Sequence, residues 1–176
     1  MDKDTYNFDE TGFIIGVTAT SKVITDSDKI GRAVVVQPGN RHWVTTIEAI
    51  NASGWATPPF VILPGKVHQA SWYRELPNGW AVAVSDNGWT TDTLGFEWLK
   101  HFNSYTESRT TGAWRLLILD GHSSHATPEF DSYCTEHKIV SLCMPAYTSH
   151  LLQPLDVSYF SPLKATYGHE VGELAR

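Results

Sequence analysis

The chain has 176 residues, 41% of them hydrophobic and 18% charged, which suits one ordinary globular domain. No apolar run approaches the roughly 20 residues of a membrane span, and the opening Met1-Asp2-Lys3-Asp4 is too polar for a signal peptide, so no membrane partner is expected. A net charge of -6 argues against gripping nucleic acid by bulk charge, yet it is compatible with an acidic site that takes up cations. Cys134 and Cys143 both sit in apolar segments without any CxxC pattern, and are expected to be small reduced core residues.

In chain order, Tyr6 and Phe8 alternate with polar neighbours and mark a strand that Asp9 ends or interrupts, with a turn at Thr11-Gly12. Residues 20–31 are polar and expected to form a loop; Ala33 to Val36 is a β-branched run closed by the turn Gln37-Pro38-Gly39-Asn40. Trp43 to Ile50 and Pro59 to Leu63 are strands joined by the turn Asn51-Ala52-Ser53-Gly54, so the amino half reads as an antiparallel meander. A short helix near Gln69 to Tyr73, a strand Trp80 to Val84 and a turn Ser85 to Gly88 follow. Thr91 or Asp92 can cap a helix running to about Tyr105, because Leu94, Trp98, Leu99, Phe102 and Tyr105 recur at near-helical spacing.

Leu116-Leu117-Ile118-Leu119 lacks the alternation of a half-exposed strand and predicts one buried on both faces. Asp120 follows directly, and Gly121 lets the backbone leave sharply, which puts the carboxylate at the carboxyl edge of the sheet, where open α/β folds assemble ligand sites. By itself, strand-Asp-Gly could equally be a plain turn before a helix. Thr127 as N-cap, Pro128 at the first helical position and the stripe Phe130, Tyr133, Cys134, His137 predict a helix, and Ile139 to Met144 the next strand. Strand, helix and strand in that order predict a right-handed crossover with parallel strands. A further helix should start at Pro154 with Asp156 in its first turn, near the positive end of the helix dipole, and Pro162 should kink or break it. No repeat or linker divides the chain, so residues 1–176 are expected to form one domain.

Asp9, Asp120 and Asp156 could therefore converge at one edge of a mixed sheet. Two Mg²⁺ or Mn²⁺ ions about 3.5–4 Å apart need such a set of oxygen ligands to activate a nucleophilic oxygen and stabilise the leaving oxygen of a phosphodiester. With 19 acidic residues the chain offers many such triples, so spacing alone does not single this one out. Other residue types have simpler expectations. His122, His125 and His150 lack a fourth ligand at zinc-finger spacing and should line a rim or bond the backbone. Glu10 points away from Asp9 in a regular strand. Trp43, Trp80 and Trp98 fit core positions, while Arg41, Lys66, Arg74 and Lys164 are solvated cations within the reach of DNA phosphates at most.

Four segments in order carry a resemblance: Asn7-Phe8-Asp9-Glu10-Thr11-Gly12-Phe13; Asn87-Gly88-Trp89-Thr90 followed by Phe96-Glu97-Trp98-Leu99; LLILDGHSSH from Leu116 to His125; and HLLQPLDVSYFSPLK from His150 to Lys164. Together they resemble the signature blocks of the pogo-like branch of the mariner superfamily, the DDE endonuclease domain of cut-and-paste DNA transposases. The resemblance implies an α/β, ribonuclease H-like fold with a mixed central sheet flanked by helices. It implies that Asp9, Asp120 and Asp156 are the catalytic, metal-binding acids for two Mg²⁺ or Mn²⁺ ions. It also implies transposon-end and target DNA as partners, a homodimer in the transposition complex, and a nuclear location. Transposases of this branch carry helix-turn-helix DNA-binding modules ahead of this domain, and nothing in the chain fills that place. A transposase-derived module that binds DNA or protein without cutting is therefore the competing expectation.

Overall fold

The computed structural model describes residues 2–15, 42–120, 127–145, 148 and 152–174. The loop expected over 20–31, the run at Ala33 to Val36 with its closing turn, Arg41, Gly121 and the three histidines at 122, 125 and 150 lie outside the described residues. Among the described residues six strands form one mixed sheet: β1 Thr5–Ile14, β2 Trp43–Asn51, β3 Phe60–Pro64, β4 Ala81–Ser85, β5 Arg115–Leu119 and β6 Ile139–Cys143, in the order β4-β3-β2-β1-β5-β6. The meander β1-β2-β3 is antiparallel as expected, whereas β4 adds parallel to β3, and β5 and β6 add parallel on the other side of β1.

One face of the sheet carries the core. Tyr6 and Phe8 of β1, Ile47 and Ala49 of β2, Phe60 and Ile62 of β3, and Leu117 and Leu119 of β5 meet the buried faces of α1 (Asp92–Thr106) and α2 (Pro128–Glu136). Thr91 caps α1 by accepting the Leu94 amide, and Thr127 caps α2 by accepting the Phe130 amide with Pro128 just inside, so both helices begin where their local signals place them. Trp98 is the centre of the packing, its ring 4.1 Å from Phe8 and 5.4 Å from Phe102 by centroids. Asp4 ties the start of β1 to the entry of β5: its carboxylate accepts from the Thr111 amide and hydroxyl and from the Gly112 amide at 2.6–2.8 Å.

Several local expectations are corrected. Asp9 lies in the middle of β1, not at its end, and the strand runs on through Thr11 and Gly12 without turning. Gly12 serves packing instead, because a Cβ there would come within 1.8 Å of the Trp43 indole. β5 is buried alternately: Arg115, Leu117 and Leu119 are buried but Leu116 and Ile118 only half so. The reason is that α1 and α2 cover one face while, among the described residues, the other face of β5 and β6 leaves Val140 and Leu142 about half exposed. Cys134 is buried as expected but Cys143, at the end of the edge strand, is exposed. Trp98 is fully buried, whereas Trp80 is exposed.

Pro162 does not break the last helix. A π-helical turn, Leu155–Tyr159, leads into α3, Phe160–Leu174, and the Phe160 amide bonds the carbonyl of Leu155. The wider turn accommodates the proline ring and its missing N–H, which a tight α-helical turn would set against the carbonyl of Ser158.

Gly88 is the tightest backbone contact among the described turns. It has φ +78°, and a Cβ would lie 1.9 Å from the Trp43 carbonyl oxygen, while its own carbonyl accepts the Thr45 hydroxyl at 2.7 Å. Gly88→Ala combines the left-handed backbone penalty with a clash against main chain that cannot swing aside, so it is expected to cost about 2–4 kcal/mol. The urea midpoint of the variant measures it, and an unchanged midpoint would refute the contact.

Candidate active site

Cross-strand register gives the side of the sheet opposite the core a polar row. Asn7, Asp9 and Thr11 of β1 share that face with Glu48 and Thr46 of β2, Asp9 standing directly opposite Glu48 and Thr11 opposite Thr46. On the other flank, Asn7 is level with Ile118 of β5, so Asp120 lies two residues further towards the carboxyl edge. The π-helical turn packs over this row and carries Asp156.

Asp9 is the buried member, with only 7% of its surface exposed. Its Oδ1 accepts the Glu10 amide at 2.8 Å, while its Oδ2 is buried without a well-formed hydrogen bond, the Gln153 amide standing near the carboxylate. Burial is the main cause that pushes its carboxyl up to about 7; the charges of Asp156 and Asp120 add to the rise, and the Glu10 amide and the neighbouring Gln153 amide oppose it. Asp120 and Asp156 thus both lie within electrostatic reach of Asp9. Asp120 is half-buried and Asp156 is exposed.

Glu10 points to the other face and accepts the Thr90 hydroxyl, in keeping with the strand's alternation. Lys66, Arg74 and Lys164 are exposed. Among the described residues, no three His, Cys, Asp or Glu side chains are gathered closely enough to hold one metal ion.

Three neighbours were not foreseen. Glu48 is buried, its Oε1 accepts the Thr46 hydroxyl at 2.7 Å, and burial raises its carboxyl. Gln153 is fully buried: its Nε2 donates to the Phe8 carbonyl at 2.7 Å and its Oε1 accepts from Asn7 Nδ2 at 2.7 Å. Asn7 completes the group. Glu48 could not be found without the β1–β2 register; Gln153 stands in the distinctive HLLQPLD block, where the sequence signals that it matters but not what it touches.

The donor set suits a hard cation. A buried carboxylate oxygen without a hydrogen-bond partner is costly in protein alone, and carboxylate oxygens match Mg²⁺ or Mn²⁺ rather than a softer metal.

A family model described as DDE superfamily endonuclease matches residues 40–175. The chain is 50% identical over 175 residues to a Cochliobolus lunatus protein named MFS-type transporter clz9, covering 99% of this chain and 19% of that protein. It is 29% identical over 162 residues to a Mus musculus protein named Pogo transposable element with KRAB domain, covering 89% of this chain and 25% of that one. The chain thus spans a quarter or less of the length of these relatives. Among the described residues no helix is long and apolar enough to cross a membrane.

Several solved structures share the fold. The Mos1 transposase paired-end complex with left transposon end matches with a TM-score of 0.62 at 13% identity, over 94% of this chain and 42% of that one. The Mos1 mariner paired end complex with Mn matches with a TM-score of 0.59 at 13% identity, over 97% and 43%. The mixed six-stranded sheet with its flanking helices is therefore the ribonuclease H-like fold that the sequence resemblance implied.

Proposed function

The chain belongs to the DDE superfamily endonucleases, in their pogo-like transposase branch, and on that premise we propose that residues 1–176 are a catalytic domain that cuts and joins DNA strands at Asp9, Asp120 and Asp156. The observation that supports this most is Asp9, a buried carboxylate with an oxygen lacking a well-formed hydrogen bond, on which the charges of the other two candidate acids act.

In the cutting step the oxygen of a water molecule bonds to phosphorus, the P–O3′ bond breaks in line, and the 3′ oxygen leaves to become a hydroxyl. That 3′-hydroxyl then bonds to a phosphorus of target DNA, displacing another 3′ oxygen. Asp9, Asp120 and Asp156 would hold two Mg²⁺ or Mn²⁺ ions, which when bound acidify water and offset the charge that builds up on the phosphoryl oxygens. The chain's own part is to present oxygen ligands from three separate elements on one face. Asp9 must release its proton to serve, so cation uptake should strengthen as pH rises through about 7. Transposon ends and target DNA are the proposed partners, with exposed cations such as Lys164 meeting phosphates, in a homodimeric assembly acting in the nucleus.

A second reading has support of its own. The absence of a gathered metal cluster among the described residues and the net charge of -6 both favour a transposase-derived module that binds DNA or protein without cutting.

A thermal-shift titration with Mn²⁺ separates the two. Cation at about 100 times its Kd should stabilise the native chain by about 2.7 kcal/mol, a rise of about 5–10 °C for a domain of this size, and Asp120→Asn should lose that rise. No rise in the parent would move the conclusion to the non-cutting module.

A further inference from the structure

We propose that Gln153 is a positioning residue of the acidic site, its amide acting with Asn7 as a latch that fixes the segment carrying Asp156 against the strand carrying Asp9. This rests on the reading of Asp9, Asp120 and Asp156 as one site.

The hydrogen bonds of the pair are placed accordingly. Gln153 Nε2 donates to the carbonyl of Phe8, the residue just before Asp9, beyond the point where the β1–β5 ladder ends at Asn7. Gln153 Oε1 accepts Asn7 Nδ2, which also reaches the carbonyl of Ile118, two residues before Asp120, at 3.4 Å. Asn7 Oδ1 faces the amide of Leu155, the residue just before Asp156, at 3.4 Å. Two amide side chains thus bond the main chain within two residues of each of the three aspartates. The elements involved are remote in sequence, and Asp156 is itself exposed, so its alignment with Asp9 depends on how its buried neighbours Gln153 and Leu155 seat against β1.

The chemistry requires an amide at this position. It must donate at one end and accept at the other, which a carboxylate or an aliphatic side chain cannot do, and a glutamate would add another negative charge beside Asp9. Gln153 is fully buried and Asn7 is 7% exposed, so each unmade bond would be left without water to replace it.

The test uses the full chain with Gln153→Met, the milder Gln153→Asn, and Leu94→Ala as a control that loosens the core on the opposite face of the sheet. Two readouts are needed: amide hydrogen exchange without metal, and Mn²⁺ affinity by calorimetry. The expected result is that both Gln153 variants speed exchange at residues 155–159 while β2 and β3 stay protected, and weaken Mn²⁺ binding at least tenfold. Leu94→Ala should lower the melting temperature without changing Mn²⁺ affinity. Unchanged exchange at 155–159, or Mn²⁺ affinity no weaker than in the control, would overturn the proposal. A parent that takes up no Mn²⁺ would overturn the metal reading instead, and the exchange comparison would still decide whether Gln153 fixes the Asp156 segment.

Discussion

Asp9→Asn should lower DNA strand cleavage by at least about a thousand-fold and, in metal-free buffer above neutral pH, should make the protein more stable. The first effect follows from the proposed role of Asp9 as a charged cation ligand: metal-assisted charge stabilisation is worth several kcal/mol, and each 1.4 kcal/mol is about a factor of ten in rate. The second follows from the direction in which burial moves this carboxyl. Its ordinary value is 3.8 and the native protein raises it to about 7. Below about pH 4 both the native and unfolded chains hold the proton, so Asp9 costs nothing. Between about 4 and 7 the unfolded chain releases the proton while the native chain keeps it, and stability falls with each step in pH; above 7 the loss is complete and constant.

Asparagine carries no charge and escapes this loss, although its amide inherits an unpartnered buried position that costs about 1–3 kcal/mol at every pH. The net gain at pH 8 should be about 1–3 kcal/mol, vanishing or reversing at pH 4. Urea unfolding in EDTA at the two pH values measures it. A variant as inactive as predicted but no more stable at pH 8 than at pH 4, relative to the parent, would show that Asp9 is not strained by its burial.

Arg115→Met is the second large effect, and here the expected loss is of stability alone. Arg115 is 2% exposed at the start of β5, where its guanidinium donates to the Thr106 hydroxyl at 2.6 Å, to Asn103 Oδ1 at 2.7 Å and to the His137 carbonyl at 2.7 Å. These acceptors are uncharged. Burial lowers the guanidinium's pKa, and the last turn of α1, which presents Asn103 and Thr106, offers the negative end of a helix dipole to compensate. One side chain thereby joins α1, α2 and β5.

Methionine fills the volume but leaves the acceptors buried and unmet, so a loss of about 3–5 kcal/mol is expected, or roughly 10 °C in melting temperature. Arg115→Lys keeps the charge without the planar fork and should recover only part of it. Mn²⁺ affinity measured well below the melting temperature should match the parent in both variants. A methionine variant within 1 kcal/mol of the parent, by the urea midpoint, would refute the role of Arg115 as the junction of the three elements.

The two variants lie on opposite faces of one sheet, and the contrast divides what could be read from residues in order. Signals that act within a turn or two of the chain were legible. Thr91 and Thr127 cap helices where their spacing said they would, the apolar recurrence from Leu94 to Phe102 faces the sheet, and Asp120 ends its strand. Such features depend on neighbours three or four residues away, and a sequence displays those neighbours directly. The four signature blocks carried the family and the candidate acids in the same way.

What could not be read in order depends on segments far apart in the chain. Thr11-Gly12 looks like a turn, yet the ring of Trp43 lies over Gly12 and the strand continues. Pro162 looks like a helix breaker until the preceding turn widens to receive it. Cys143 and Trp80 look like core residues and are exposed, because a short apolar run does not reveal which strand is an edge or where a helix will cover it. Above all, the partner of Asp9 across the sheet, Glu48, and the Asn7–Gln153 latch join residues that are about 40 and 146 positions apart, through register and close packing. Local preference sets where elements begin and end and which acids are available. Register, set by the closure of the sheet and by which face each helix covers, decides which of those acids meet.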